Sequence, residues 1–329
     1  MHLYIACLRF TDSSYIRLFK QIPTMRPIVL SIIFLSLLGS CGKHANQADE
    51  NTFPNGSLAA QLWTFRGDLE KDVPGTLKKI KGLGFTYVEG FDAPFIVGNP
   101  DAFKSQLDAA GLKMFALHWN TLSDWRKDPT VIMETARKLG AHYTGIAWLK
   151  ESKADTVTLD IVNEAADILM KACPQAQASG LQLYYHIHGY ELQPMDDQKT
   201  FFDSFVSRID YNCVRLEMDV FWVTYAGQDP VKFMDKYRDG VELLHVKNMA
   251  NHVSTGVFTG ADFMPPDMPA DNWVPLGKSK MIDYKSVFQK GHEIGVKWYI
   301  LEMDKFDGDV YGAVDSSLVY IQKEKLLER

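Results

Sequence analysis

Residues 57–329 predict an α/β fold, a (β/α)8 TIM barrel, on three observations. Eight short apolar segments alternate with amphipathic helical stretches, the length suits one such barrel, and polar groups recur where the apolar segments end. A doubly wound open sheet is the competing architecture. It is disfavoured because no GxGxxG phosphate loop follows the first segment.

The candidate strands, in order, are "LAAQLWTF", "FTYVEGF", "KMFALHW", "YTGIAWL", "LQLYYHIH", "CVRLEMDVFW", "VELLHVKN" and "VKWYILEMD". Each is rich in β-branched and aromatic residues, the composition of strands buried on both faces. Between them lie "VPGTLKKIKGLG", "PDAFKSQLDAAG", "TVIMETARKLGA", "TLDIVNEAADILMKA" and "DYKSVFQKGHEIG". Several of these end at a glycine, the residue that terminates a helix in the left-handed conformation.

In such a barrel the chemistry sits at the carboxyl ends of the strands. Glu89 closes the second strand and His118 the third. The fifth carries His186 and His188 with Glu191 beyond, and the sixth carries Glu217 and Asp219. The seventh carries His245 and Lys247, the eighth Glu302 and Asp304. Residues two apart share a face, so each of these pairs can point inward. Buried charges cost several kcal/mol unless paired or metal-bound, and imidazoles mixed with carboxylates are ligands for Mn²⁺, Zn²⁺, Co²⁺ or Fe²⁺. Asp219, His245 and Glu302 form the strongest group. His142, His252 and His292 have no such company and read as structural or surface residues.

The 35 Lys and Arg against 41 Asp and Glu, with no dense basic run, exclude a nucleic-acid partner and favour a small molecule. Near the N-terminus, Arg26, an apolar run from Ile28 to Leu38 and small residues before Cys41 form an export signal over residues 1–40, with Met25 as the expected start. The run is too short to span a bilayer. "LGSC" is similar to a bacterial lipobox, which implies lipidation at Cys41, a polar tether over 41–56, and a cell-envelope or periplasmic address on a membrane. Cys173 and Cys213 are expected as buried free thiols, a disulfide being possible but not demanded.

The chain resembles the sugar phosphate isomerase/epimerase-like superfamily of xylose isomerase-like barrels. The resemblance rests on "YYHIHGYE", "LEMDVFWVTYAGQDP", "LLHVKNM", "PLGKSKMIDY" and "WYILEMD", in that order. It implies one divalent metal (Mn, Zn, Co or Mg) held by His186, Asp219, His245 and Glu302, with His188 or Glu191 as alternatives at the fifth strand. Where such epimerases often carry a histidine three residues after the Asp, this chain has Trp222.

A metal-activated carbonyl next to a C–H bond requires a base, for which Glu191, Glu302 and His188 are candidates, while Lys247 is placed to stabilise the developing oxyanion. Glu89 and His118 are assigned to hydroxyl recognition or acid–base work. Trp63, Trp119, Trp148 and Trp222 near strand ends, with Trp273 further on, offer faces for sugar rings. The long proline-rich segment after the seventh strand is a candidate lid. Asp304, Asp307, Asp309 and Asp315 after the eighth strand oppose a phosphorylated substrate. The expected activity is isomerisation or epimerisation of an unphosphorylated sugar or keto-sugar. A lyase or hydratase on 3-keto-sugars or glycosides is the first alternative, and a noncatalytic sugar-binding lipoprotein the second.

Overall fold

The computed structural model describes residues 56–120, 122–149, 156–196, 198–251, 270–306 and 308–328. The expected export signal, Met25, Cys41 and the tether up to residue 55 lie outside them, as do residues 252–269 of the candidate lid and Asp307.

Eight parallel strands close into a barrel. They are β1 (Ser57–Gln61), β2 (Tyr87–Gly90), β3 (Lys113–Trp119), β4 (Tyr143–Ile146), β5 (Gln182–His186), β6 (Val214–Asp219), β7 (Val241–Val246) and, after a two-residue antiparallel pair β8 (Asn248–Met249) and β9 (Trp273–Val274), the eighth barrel strand β10 (Trp298–Leu301). Around the barrel the order is β1-β10-β7-β6-β5-β4-β3-β2. Helices between the strands include Val73–Gly82, Pro100–Ala110, Pro129–Leu139, Leu159–Ala178, Tyr284–Ile294 and Val310–Lys323. No helix among the described residues is long and apolar enough to cross a membrane.

Local chemistry sets the helix boundaries. Asp72, Asn99 and Asp128 cap three helices, each accepting a backbone N–H of the first turn, and each is followed within two residues by proline. Two of these helices stop at Gly111 and Gly140, both with positive φ.

Two expected strands are shorter than their apolar runs. "LWTF" leaves β1 as a 3-10 turn over Leu62–Phe65, because Gln61 accepts the Trp63 N–H through its side chain. "VFW" leaves β6 as the start of the helix Val220–Tyr225, for which Asp219 is the cap.

Inside the barrel, Ala59, Phe115, Ala116, Tyr143, Tyr184, Leu243, Trp298 and Ile300 form a dry plug. The Phe115 and Trp298 rings stack at its centre, 3.9 Å apart. Period-two alternation then dictates what lies above it. Two residues beyond Tyr184 comes His186, beyond Leu243 comes His245, and beyond Ile300 comes Glu302. The plug is the floor on which the polar layer stands.

The cysteine expectation is corrected. Cys173 and Cys213 form a disulfide, with Cα atoms 5.8 Å apart and 40 residues between them in sequence, tying the helix Leu159–Ala178 to the entry of β6. Closing a loop of that length contributes about 4 kcal/mol through the unfolded chain. Cys213→Ala should therefore lower Tm by roughly 10 °C. Reductant should do the same to the parent protein and nothing further to the variant, as read by differential scanning calorimetry.

Candidate functional site

Strand register brings the polar ends together. His186 of β5 pairs with Glu217 of β6, Asp219 of β6 pairs with His245 of β7, and Ile300 of β10 pairs with His245, which sets Glu302 beside that imidazole. Asp219 has one oxygen committed, since Oδ1 accepts the Trp222 N–H (3.0 Å) as a helix cap. After His188 the chain reverses at Gly189, whose φ of 92° favours glycine and whose absent Cβ would lie 2.9 Å from the Trp222 carbonyl oxygen.

Ligand atoms of Asp219, His245 and Glu302, all buried, lie within 4.8 Å of one another, and His186 Nε2 comes to 3.8 Å from Asp219 Oδ2. One imidazole with two carboxylates, and a second imidazole alongside, is the donor chemistry of a divalent transition-metal or zinc site. A second buried group is formed by His118, His186, Glu217 and His245. Its hydrogen bonds explain how the first is oriented. His186 Nδ1 donates to Glu217 Oε2 (2.8 Å), leaving Nε2 toward Asp219, and His245 Nε2 donates to Glu89 Oε2 (2.7 Å), leaving Nδ1 toward Asp219 and Glu302. A carboxylate behind each imidazole fixes which nitrogen faces an ion. Glu89 is itself held by Gln61 Nε2 (2.9 Å) and the Tyr184 hydroxyl (2.8 Å).

The charges are set by burial and by one another. Burial alone would raise Glu89, but the charge and hydrogen bond of His118, joined by His245, hold it at about 2. Burial and the charge of Glu89 push Glu217 up to about 7. His245 resists burial and is raised well above its ordinary value by Glu217 and Glu302, whereas burial and the neighbouring His188 depress His186 strongly. Lys247 also overcomes burial, because Asp219, Asp304 and Glu302 surround it. Burial raises Asp304 to about 6 despite Lys247. The positive charges of His245 and Lys247 thus offset the carboxylates.

Above this layer opens a cavity of about 180 Å³ lined by Trp63, Trp148, Trp222, His118, His186, His188, Lys247, Glu302 and Asp304, with Gln61, Phe91 and Asn120 completing the wall. Its size fits one small ring rather than the larger ligands of roughly 300–1,000 Å³ pockets. Trp63, Trp222, His118, His188 and Lys247 stand where the sequence predicted, at the cavity.

Four residues depart from expectation. Glu191 does not reach the cavity. It is fully buried, accepts the Tyr185 hydroxyl (2.6 Å) and the His188 backbone N–H, and so shapes the loop that carries His188 instead of taking a proton from substrate. Glu89 lies beneath the cavity, engaged by four side chains, and holds His245 rather than a substrate hydroxyl. Trp119 turns away to donate to Asp124 (3.0 Å), and Trp273 sits behind Trp222, stacked on Phe221. His142 and His292 stay outside the site, His292 bonding the Leu326 carbonyl (2.8 Å).

The sequence reading left Gln61, Asn120 and Tyr184 unassigned and gave Glu217 no role. Alternation was the available signal for two of them, because Tyr184 and Glu217 each lie two residues before a ligand candidate. Gln61 and Asn120 carried none, being ordinary amides at strand ends.

The profile of the xylose isomerase-like TIM barrel matches residues 77–318, most of the chain. The chain belongs to this family. The xylose isomerase-like barrel of this protein is 25% identical over 151 residues to inosose dehydratase from Geobacillus kaustophilus (strain HTA426), a match spanning 42% of this chain and 44% of that protein. It is thus aligned with less than half of its curated relative. Among solved structures it is similar to a sugar phosphate isomerase/epimerase from Parabacteroides distasonis ATCC 8503 (22% identity, TM-score 0.64, covering 82% of this chain and 99% of that one). It is also similar to a xylose isomerase-like barrel from Mycobacterium smegmatis in complex with magnesium (16% identity, TM-score 0.61, 84% and 97%).

Two predictions follow from the geometry of this xylose isomerase-like site. Glu217→Gln frees the His186 ring to present either nitrogen, and Zn²⁺ affinity measured by equilibrium dialysis should fall roughly 10- to 100-fold; an unchanged affinity would remove the orienting role. Glu191, raised by burial to about 7 from 4.5, holds its proton more tightly when folded. Its contribution to stability is therefore fully present below pH 4.5 and is lost as pH rises toward 7, by about 3 kcal/mol. In Glu191→Gln that part of the slope should vanish, as measured by urea unfolding across the window.

Proposed function

We propose that the protein is a divalent-metal-dependent enzyme that isomerises or epimerises an unphosphorylated sugar or keto-sugar by moving a proton next to a carbonyl. The observation that carries this reading is the convergence of Asp219, His245 and Glu302 beside His186 at the floor of a cavity walled by three tryptophans. A divalent ion held by these four residues would supply Lewis acidity toward a carbonyl and a neighbouring hydroxyl. The relatives named as an isomerase/epimerase and as a magnesium complex support it.

The chain's own residues divide the remaining work. Trp63, Trp148 and Trp222 present flat faces for the apolar side of a sugar ring. His188 is the base. It lines the cavity, burial and then the Lys247 charge keep it neutral, and its Nδ1 has no hydrogen-bond partner among the described residues. A neutral imidazole with an open nitrogen can accept a proton from carbon and return it. Glu302 is held ionised by Lys247 and His245 and serves better as a ligand than as a base. Lys247 is the cation available to an oxygen that gains charge when the proton leaves. Asp304 at the rim, with Asp309 beyond it, opposes a phosphate dianion and supports an unphosphorylated ligand.

A lyase or dehydratase is the second reading. It is favoured by Trp222, which stands where epimerases of this family often carry histidine, and by the relationship to inosose dehydratase. Loss of a β-leaving group needs only the first proton abstraction.

An address outside the cytoplasm is supported by the Cys173–Cys213 disulfide, a bond that persists in oxidising compartments, together with the export-signal pattern. Anchoring through a lipid on Cys41 rests on the "LGSC" pattern.

The deciding experiment incubates sugars and 3-keto-glycosides in D2O with Mn²⁺. Deuterium at an epimerised or isomerised carbon is expected, release of water or aglycone would select the second reading, and tight sugar binding without turnover would overturn both. His188→Asn should lower kcat by roughly 10²- to 10⁴-fold with little change in substrate binding.

A further inference from the structure

Lys247 occupies the place where three carboxylates meet. Its Nζ lies 2.8 Å from each of Asp219 Oδ2, Glu302 Oε2 and Asp304 Oδ2, and the residue is 2% exposed. Asp219 Oδ1 is committed to the Trp222 N–H, so Oδ2 is the oxygen that residue can offer a cation. A metal ion and the Lys247 ammonium would therefore address the same Asp219 oxygen. An ion about 2.0–2.2 Å from it, and an ammonium at the distance seen here, can be no more than about 5 Å apart. Within a buried site, cations that close repel strongly.

We propose that Lys247 is a tethered cation that competes with a divalent ion for Asp219 and must leave that carboxylate when the ion binds, so that metal affinity is set by competition with the chain's own ammonium. This rests on the metal-dependent reading above. Only the side chain is free to move, because the Tyr284 hydroxyl donates to the Lys247 carbonyl oxygen and holds the backbone. The side chain already borders the cavity, with Nζ 5.8 Å from the centre of the Trp222 ring. Release from the carboxylates sends the ammonium toward the space a substrate oxygen would occupy. Ion loading and the readiness of Lys247 to meet substrate are then one event.

The test is isothermal titration of Mn²⁺ into the chelator-stripped full chain at one pH, with Lys247→Met and Lys247→Arg compared with the parent. Lys247→Met should bind Mn²⁺ at least about tenfold more tightly, the effect of removing a close like charge, whereas Lys247→Arg should not. Equal or weaker binding by Lys247→Met, with the parent still binding, overturns the competition and leaves the metal-dependent reading intact. Absence of binding to every protein overturns both. Should Lys247→Met fail to fold, crystals of the parent soaked in Mn²⁺ decide the matter. The proposal requires an anomalous peak at Asp219 and Glu302 with Nζ outside the roughly 4 Å of an ion pair to Asp219; a peak with that ion pair still made contradicts it.

Discussion

Burial of ionisable groups away from bulk solvent is the constraint from which the rest of the barrel mouth follows. Glu89, His118, His186, Glu217, Asp219, His245, Lys247, Glu302 and Asp304 are all buried at one end of the barrel, above a floor of buried aromatic and aliphatic side chains. Each would be strongly destabilising alone. They persist because every charge has a partner at hydrogen-bond distance, and the network divides into two tiers. The lower tier, Glu89 and Glu217, grips the imidazoles. The upper tier, Asp219, Glu302 and Asp304, grips a cation. Loss of one member leaves its partner uncompensated, so the mouth is held as a unit.

This division also bears on the fifth strand, which ends in His186. A histidine there can present either nitrogen, and His186 is useful to a cation only if one is chosen for it. Glu217, in register beside it, makes that choice. Trp222 adds an aromatic wall to the cavity. It leaves the cluster of Asp219, His245 and Glu302 intact and alters what surrounds it, which is how one barrel supports several reactions.

Much of the fold was legible because parallel barrel strands leave a strong local record. The apolar runs, the capping Asp and Asn residues and the terminal glycines all report conditions within a few residues of themselves. The ends of β1 and β6 were misjudged because apolar residues continue past the last ladder bond, and only the side chains of Gln61 and Asp219 turn the backbone there. At the site, the nearness of Asp219, His245, Glu302 and His186 to one another was legible from their positions at strand ends. The roles of Glu89 and Glu191 could not, since a carboxylate facing substrate and one supporting an imidazole or a loop look alike in sequence; strand register and the partners across the barrel decide between them. The disulfide was hidden for the same reason, its cysteines being 40 residues apart and brought together only by the packing of the helix Leu159–Ala178 on the barrel.

Asp219, His245 and Glu302, with His186, are the residues that would hold one divalent ion beneath the cavity. Titration of the stripped protein with Co²⁺, followed by visible absorption, tests this most directly, because d–d bands report both stoichiometry and nitrogen ligation. A single saturable equivalent per chain, with bands abolished in His245→Ala and displaced in His186→Ala, is the predicted result. No saturable spectrum, or one indifferent to the loss of His245, would contradict the account.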